Sequence, residues 1–392
     1  MSLRILHVID SLDPRLGGPP AVCMRLASAQ ALLGNEVSIV SRTEDSAVER
    51  ANQSLSAVPG INAVKIHRTT KRKTIADRVL GASLSRWICD QPCSPDVIHV
   101  HSVWEPAVLA AAFACRKSRI PYVITPHGTL DSWGMNRGVF RRLKKRIALQ
   151  VVFRQVLDNA AFLHMLNEGE RQGLRPLRLR APTVVLPNGV FAEEQGALPP
   201  LGTFRASHPE LGNDPYLLFL ARVDYMKGLD RLVAGFAEAR KTCRNIRLVV
   251  AGPDFGAERS VRRLCSKLGV DDCVCFVGPL YGADKLAALA DARAYGLVSR
   301  YEGFSIALLE AMIAGLPVII SKECRFPEVV AHDAGAVVDP RPEAVASAIV
   351  DFMSDSAKAS AAGARGRALV SSSYTWQSIA DRMCDAYRQL KK

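Results

Sequence analysis

Residues 216–239 read YLLFLARVDYMKGLDRLVAGFAEA. Six apolar residues lead to Arg222, Lys227 stands five positions later, and helical spacing of Leu, Val and Phe follows. The pattern predicts a strand over 216–223, a short loop and a helix, the opening half of a βαβ unit. Working outward, the same alternation recurs. Upstream, strands are expected at 3–10, 36–42, 64–69, 97–102, 122–126, 162–166 and 183–186. Downstream they are expected at 246–252, 274–277, 294–299, 317–320 and 336–338. Residues 190–214, rich in Gly, Pro and polar side chains, separate the two series as a linker. The expected fold class is α/β, with two doubly wound Rossmann-like domains over 1–195 and 196–374. The helical stretch 375–392 is free to cross back to the first of them.

The totals agree with that division. A chain of 392 residues suits two domains of about 150–200 residues. Hydrophobic content of 48% against 23% charged residues excludes a disordered or fibrous chain. The apolar start, residues 3–9, is strand-length and runs into Asp10, so it reads as neither a signal-peptide core nor a membrane span. No run of 18 apolar residues occurs, and the expectation is a soluble, cytoplasmic protein. Ten cysteines lie scattered. Cys89 with Cys93 and Cys273 with Cys275 have metal-like spacing, but no further His or Cys pair stands nearby at zinc-site intervals. They therefore read as buried thiols, with no metal expected. Net charge is +13, and residues 1–195 hold 26 Lys+Arg against 16 Asp+Glu, a net of +10. The basic excess of that half points to acidic partners such as phosphates or anionic headgroups.

Ligands of open parallel sheets sit beyond the carboxyl ends of the strands, so the expected site is a cleft where the two sets of ends face each other. After the first strand, Gly17 and Gly18 precede Pro19 and Pro20, a helix start that lets backbone amides approach a phosphate or sugar. The fifth strand ends in TPHG, and His127 is a candidate to donate to a substrate hydroxyl or to support developing positive charge. His99 and His101 alternate along a strand and read as structural. Arg222 and Lys227 leave one strand end as two cations suited to a diphosphate.

Residues 300–320, RYEGFSIALLEAMIAGLPVII, place Glu302 in a loop and Glu310 inside the following helix. At ~1.5 Å rise per residue these carboxylates are offset by roughly 9–12 Å, beyond the separations of a glycosidase pair. The amides of Phe304, Ser305 and Ile306 are expected at the helix start, open to an anion. No G-x-G-x-x-G or G-x-x-x-x-G-K-[ST] occurs, which weakens nicotinamide-dinucleotide and P-loop readings.

Arg222-x4-Lys227, Glu302-x7-Glu310, the Gly17–Gly18 loop, PHG with His127 and LPNGV with Asn188 together resemble the retaining nucleotide-sugar glycosyltransferases of the GT-B fold, family four. The resemblance covers essentially the whole chain in order, and residues 126–133 resemble members that build bacterial surface polysaccharides. It implies a hexosyltransferase that moves sugar from a UDP- or GDP-sugar to a glycan or lipid-linked saccharide. By that likeness Arg222 and Lys227 neutralise the donor diphosphate, and Glu302 holds sugar hydroxyls. The amides after Gly303 cap the distal phosphate, Glu310 holds the ribose, and residues 277–280, from Val277 to Leu280, contact the base. His127 faces the donor sugar and Gly18 approaches the reacting centre. Neither a metal nor another cofactor is implied. Phe191 stands where the family carries an acidic residue after Asn-Gly-Val, which leaves a contact there open.

Residues 137–155 interleave Arg141, Arg142, Lys144, Lys145, Arg146 and Arg154 with Phe140, Leu143, Ile147 and Val151. An amphipathic basic helix of this kind reads as an element for an anionic membrane surface, here the inner face of the cell membrane. A second basic cluster lies at 71–73. Nucleic acid is not an expected partner, since no stacking platform accompanies the charge. The alternatives are a sugar-nucleotide epimerase on the same fold and a non-catalytic nucleotide-sugar-binding protein. Donor sugar, base and acceptor stay open at this level.

Overall fold

In the computed structural model, which describes residues 2–42, 44–70, 74–130, 143, 145, 147–192 and 198–390, the apolar runs form two all-parallel sheets. The first contains β1 (Arg4–Ile9), β2 (Glu36–Ser41), β3 (Lys65–Arg68), β4 (Val97–His101), β5 (Tyr122–Thr125), β6 (Phe162–Met165) and β7 (Thr183–Val185), in the order β3-β2-β1-β4-β5-β6-β7. The second contains β8 (Tyr216–Leu220), β9 (Arg247–Ala251), β10 (Val274–Gly278), β11 (Ala294–Leu297), β12 (Val318–Ser321) and β13 (Gly335–Val338), in the order β10-β9-β8-β11-β12-β13. Central strands buried along their whole length, such as β4, β5 and β8, are what a sheet covered by helices on both faces requires.

Each sheet reverses its direction of growth once, between β1 and β4 in the first and between β8 and β11 in the second. Such a switch point opens a crevice at the strand ends. Several strands stop short of their expected ends, and β8 shows why. It ends at Leu220 rather than at Val223, although Ala221 still donates to Ala251 (3.0 Å) and Val223 to Pro253 (2.9 Å). Gly252 makes this close approach possible. Its φ is +151°, and a Cβ there would lie 1.8 Å from the Ala221 carbonyl oxygen.

The chain divides into two units, 1–191 with 376–392, and 192–375. The helix Trp376–Gln389 belongs to the first unit, where Trp376 and Tyr387 are buried and the Trp376 amide donates to Val190 (3.0 Å). Phe191 is fully buried. Among the described residues no helix is long and apolar enough to cross a membrane. Of the basic segment, 137–142, 144 and 146 lie outside the described residues, and so do 71–73. The part that is described carries exposed Leu143, Ile147 and Val151, and a π-helical turn over Leu149–Phe153.

Candidate functional site

In the second unit the site residues converge where β8 and β11 lie side by side. Asp224 caps the turn Tyr225–Lys227, its Oδ1 accepting from the amides of Met226 (2.7 Å) and Lys227 (3.1 Å). Gly228 follows at φ +63°, and a Cβ there would fall 1.9 Å from the Val298 carbonyl oxygen. The turn therefore rests directly on the chain leaving β11, which only glycine permits. Arg300 locks the two segments further. Its amide donates to Met226 (2.7 Å), and its guanidinium grips both oxygens of Asp230 at 2.7 and 2.6 Å.

That scaffold delivers Lys227 to Glu302. The Lys227 ammonium donates to Glu302 Oε1 at 2.6 Å, and the Ser299 hydroxyl donates to the same oxygen at 2.9 Å. Glu302 is buried, and its Oε2 makes no hydrogen bond among the described residues. Arg222 does not join that pair. Its guanidinium lies 5.0 Å from the Phe255 ring centre and 3.4 Å from Asp224 Oδ2, and its side chain is 45% exposed.

Ser305 is the N-cap of the helix Ile306–Ile313, its hydroxyl accepting from the Leu308 amide (3.3 Å). The amides of Ile306 and Ala307 in the first turn have no partner within the helix. This refines the expected set, because Phe304 precedes the cap and packs its ring against Phe326 and Tyr374. Glu310 is buried in the second turn and accepts from Lys285 at 2.8 Å. Lys285, on the helix Gly282–Asp291, and Ser299 escaped the sequence reading. Lys285 looks there like any charge on an amphipathic helix, and only the strand order reveals its partner. Val277, Gly278 and Leu280 lie half-buried at the end of β10, where the register shifts and Gly278 takes φ +74°.

The first unit supplies a second set. Gly17, at φ +95°, caps the helix Gly18–Leu32. Gly18 has an ordinary φ, and a Cβ on either residue would meet nothing of the chain within 4 Å. His127 and Gly128 take φ +52° and +74°. Glu170 holds this turn by accepting from the amides of Gly128 (2.6 Å) and Leu166 (2.7 Å).

His127 does not stand alone: its Nε2 is 3.2 Å from His101 Nδ1, and His101 Nε2 is 3.0 Å from His7 Nδ1. His99 and His164 share Thr125 Oγ1 at 2.6 and 2.8 Å, and both His99 and His101 are fully buried along β4. Burial pushes His127 down to about 3, with the charge of His164 adding to the effect, and brings His7 and His164 to about 4. His127 is therefore held as a neutral ring, the state in which an imidazole can donate to a hydroxyl or support developing positive charge.

Among the described residues one group of three has ligand atoms close enough for a metal: His7, Cys23 and His101, within 4.8 Å of one another. The chemistry does not suit an ion. Both His7 nitrogens are used, one by His101 and one by Gln30 (2.7 Å), and burial pushes the Cys23 thiol far above its usual range.

Residues 17–189 match the family described as glycosyl transferase 4-like domain, and residues 202–369 match glycosyl transferases group 1. The chain is a GT-B glycosyltransferase of the family four type. One relative of this glycosyltransferase is the GDP-mannose-dependent alpha-(1-6)-phosphatidylinositol monomannoside mannosyltransferase of Mycobacterium tuberculosis. The two are 35% identical over 45% of this chain and 48% of that protein, so the match spans about half its length. The GDP-mannose:cellobiosyl-diphosphopolyprenol alpha-mannosyltransferase of Xanthomonas campestris is 25% identical over 98% of this chain and 96% of its own. The fold is also that of Anabaena HepE, solved in complex with UDP and glucose, with a TM-score of 0.79, 18% identity and coverage of 99% and 100%.

Proposed function

We propose that this glycosyltransferase moves a hexosyl unit from a UDP- or GDP-sugar to a glycan or lipid-linked saccharide, with retention of anomeric configuration and without a bound metal. The observation that carries the reading is the convergence of Lys227 and Glu302 at 2.6 Å across a switch point, with Arg222 paired to Asp224, the cap of the Lys227 turn. Negative charge grows on the departing diphosphate as the glycosidic C–O bond breaks. Arg222, Lys227 and the unpartnered amides of the helix Ile306–Ile313 are cationic or dipolar groups suited to meet it. In this reading Glu302 presents Oε2 to a sugar hydroxyl and Glu310 does the same for the ribose. Gly18 also supports it, since nothing in the protein's own packing requires a glycine there.

The relatives named for GDP-mannose and for phosphatidylinositol monomannoside or cellobiosyl-diphosphopolyprenol favour a lipid-linked acceptor here. The exposed Leu143, Ile147 and Val151, four residues apart within a basic segment, fit attachment to an anionic inner-leaflet surface. The test is product analysis with labelled UDP- and GDP-sugars, membrane-extracted acceptors and excess EDTA. Sugar transferred with its anomeric configuration kept supports the reading; release of free sugar alone, or complete inhibition by EDTA, argues against it.

A further inference from the structure

The five histidines beneath the β4 and β5 strand ends form a hydrogen-bond network whose direction can be worked out from its ends. The Leu186 carbonyl can only accept, so His164 carries its proton on Nε2 (2.8 Å). His164 Nδ1 then accepts from Thr125 Oγ1, Thr125 Oγ1 accepts from His99 Nε2, and His99 Nδ1 accepts from the Tyr387 hydroxyl. The second arm starts at Gln30, whose Oε1 accepts from His7 Nε2 at 2.7 Å. His7 Nδ1 in turn accepts from His101 Nε2 (3.0 Å), and His101 Nδ1 accepts from His127 Nε2 (3.2 Å). Each histidine in both arms carries its proton on Nε2 and keeps Nδ1 as the acceptor. His7, His99, His101 and His164 can form such a chain only as neutral rings, and desolvation lowers the basicity of all five.

His127 ends the second arm and differs from the other four. It alone is half-buried rather than buried, and its Nδ1 has no partner among the described residues. It also sits at φ +52°, a conformation that costs a non-glycine residue on the order of 1 kcal/mol and persists where the surroundings impose it. The rings of His101 and His127 stack at 5.4 Å, and Glu170 fixes the next amide.

We propose that His101, backed by His7 and Gln30, is a positioning residue: it fixes His127 as the Nε2–H tautomer, so that His127 offers the lone pair of Nδ1 to a hydroxyl of the bound saccharide. This rests on the transferase reading above and adds to it. His127 then accepts a hydrogen bond from the substrate, the opposite of the donor role its place in the sequence suggests.

The test is a long-range proton–nitrogen correlation spectrum of the full chain labelled with [15N]histidine at pH 7, with His127 assigned by its loss in His127→Gln. The expected result is a protonated Nε2 and an unprotonated Nδ1 for both His101 and His127. Protonation of His127 on Nδ1, as a reversed Gln30 amide would impose, or averaged shifts at its two nitrogens, overturns the proposal. A kinetic arm separates positioning from bulk. His101→Phe keeps a ring without nitrogens and should lower kcat by ~10²-fold with the donor KM unchanged. His101→Gln, whose amide can accept from His127 and donate to His7, should restore most of that loss. Unchanged kcat in His101→Phe, or equal losses in both variants, also overturns it. If the wild-type protein transfers no sugar, the transferase reading fails, and the spectrum alone decides the tautomer.

Discussion

Lys227 and Glu302 are 75 positions apart in sequence, yet their charged atoms meet at 2.6 Å with Ser299 on the same carboxylate oxygen. The contact exists because β8 and β11 are neighbours at the point where the sheet reverses. Lys227→Met leaves the Glu302 carboxylate buried without its counter-charge. Breaking such a pair costs roughly 3 kcal/mol or more, whereas replacing both partners is far milder. Urea denaturation should therefore show Lys227→Met less stable than Lys227→Met/Glu302→Gln. A double variant as unstable as the sum of the two single changes would contradict the pairing.

The glycines divide into two kinds. Gly228→Ala drives a Cβ into the Val298 carbonyl at 1.9 Å and should destabilise the second unit measurably, lowering its Tm. Gly18→Ala meets open space at an ordinary φ. It should leave Tm within a degree or two of wild type, consistent with less than about 0.5 kcal/mol, yet reduce transfer. Full activity in Gly18→Ala would remove Gly18 from the substrate path.

Lys285 holds one oxygen of Glu310 at 2.8 Å, and in the proposed function the carboxylate so held meets the ribose. Lys285→Ala frees the carboxylate to rotate, a loss of ground-state positioning felt equally in the transition state. The expectation is a donor KM raised by about tenfold with kcat nearly unchanged. A fall in kcat at constant KM would place Lys285 in the chemical step instead.

How far the sequence carried this reading depends on what each feature needs. All thirteen strands could be read from local pattern, because runs such as Tyr216–Leu220 are apolar throughout and bounded by turn residues. Their last residues were overestimated where backbone hydrogen bonds continue past the regular ladder, as at Ala221 and Val223. The Glu302 loop and the Ser305 cap were legible as a helix start. The Lys285–Glu310 pair was not, since it depends on which helix packs beside which. The histidine network was half legible. A period of two puts His99 and His101 on one face, but only the register of β1 against β4, with His7 opposite His99, brings in the third ring.

The same network makes acid stability a test. His7 and His164 titrate near 4 in the folded protein, and His99, His101 and His127 also lie well below 6.5, chiefly through burial. The rings face one another, with Thr125, Gln30 and Tyr387 as neutral neighbours. The unfolded chain therefore binds protons that the folded chain refuses, and stability is full above pH 6.5 and falls as pH drops toward 4. Urea midpoints should decline steeply between pH 6.5 and 4.5. A flat profile across that window would mean the rings are solvated or paired with acids.

The central claim is that the Lys227–Glu302 corner holds the diphosphate of a nucleotide-sugar. Isothermal titration calorimetry with a panel of UDP- and GDP-sugars, on wild type and on Lys227→Met, tests it directly. The account predicts saturable binding of at least one donor by wild type, weakened by about tenfold or more in the variant, an effect of ~1.4 kcal/mol. Equal affinity in the two proteins, or no binding of any donor by wild type, would contradict it.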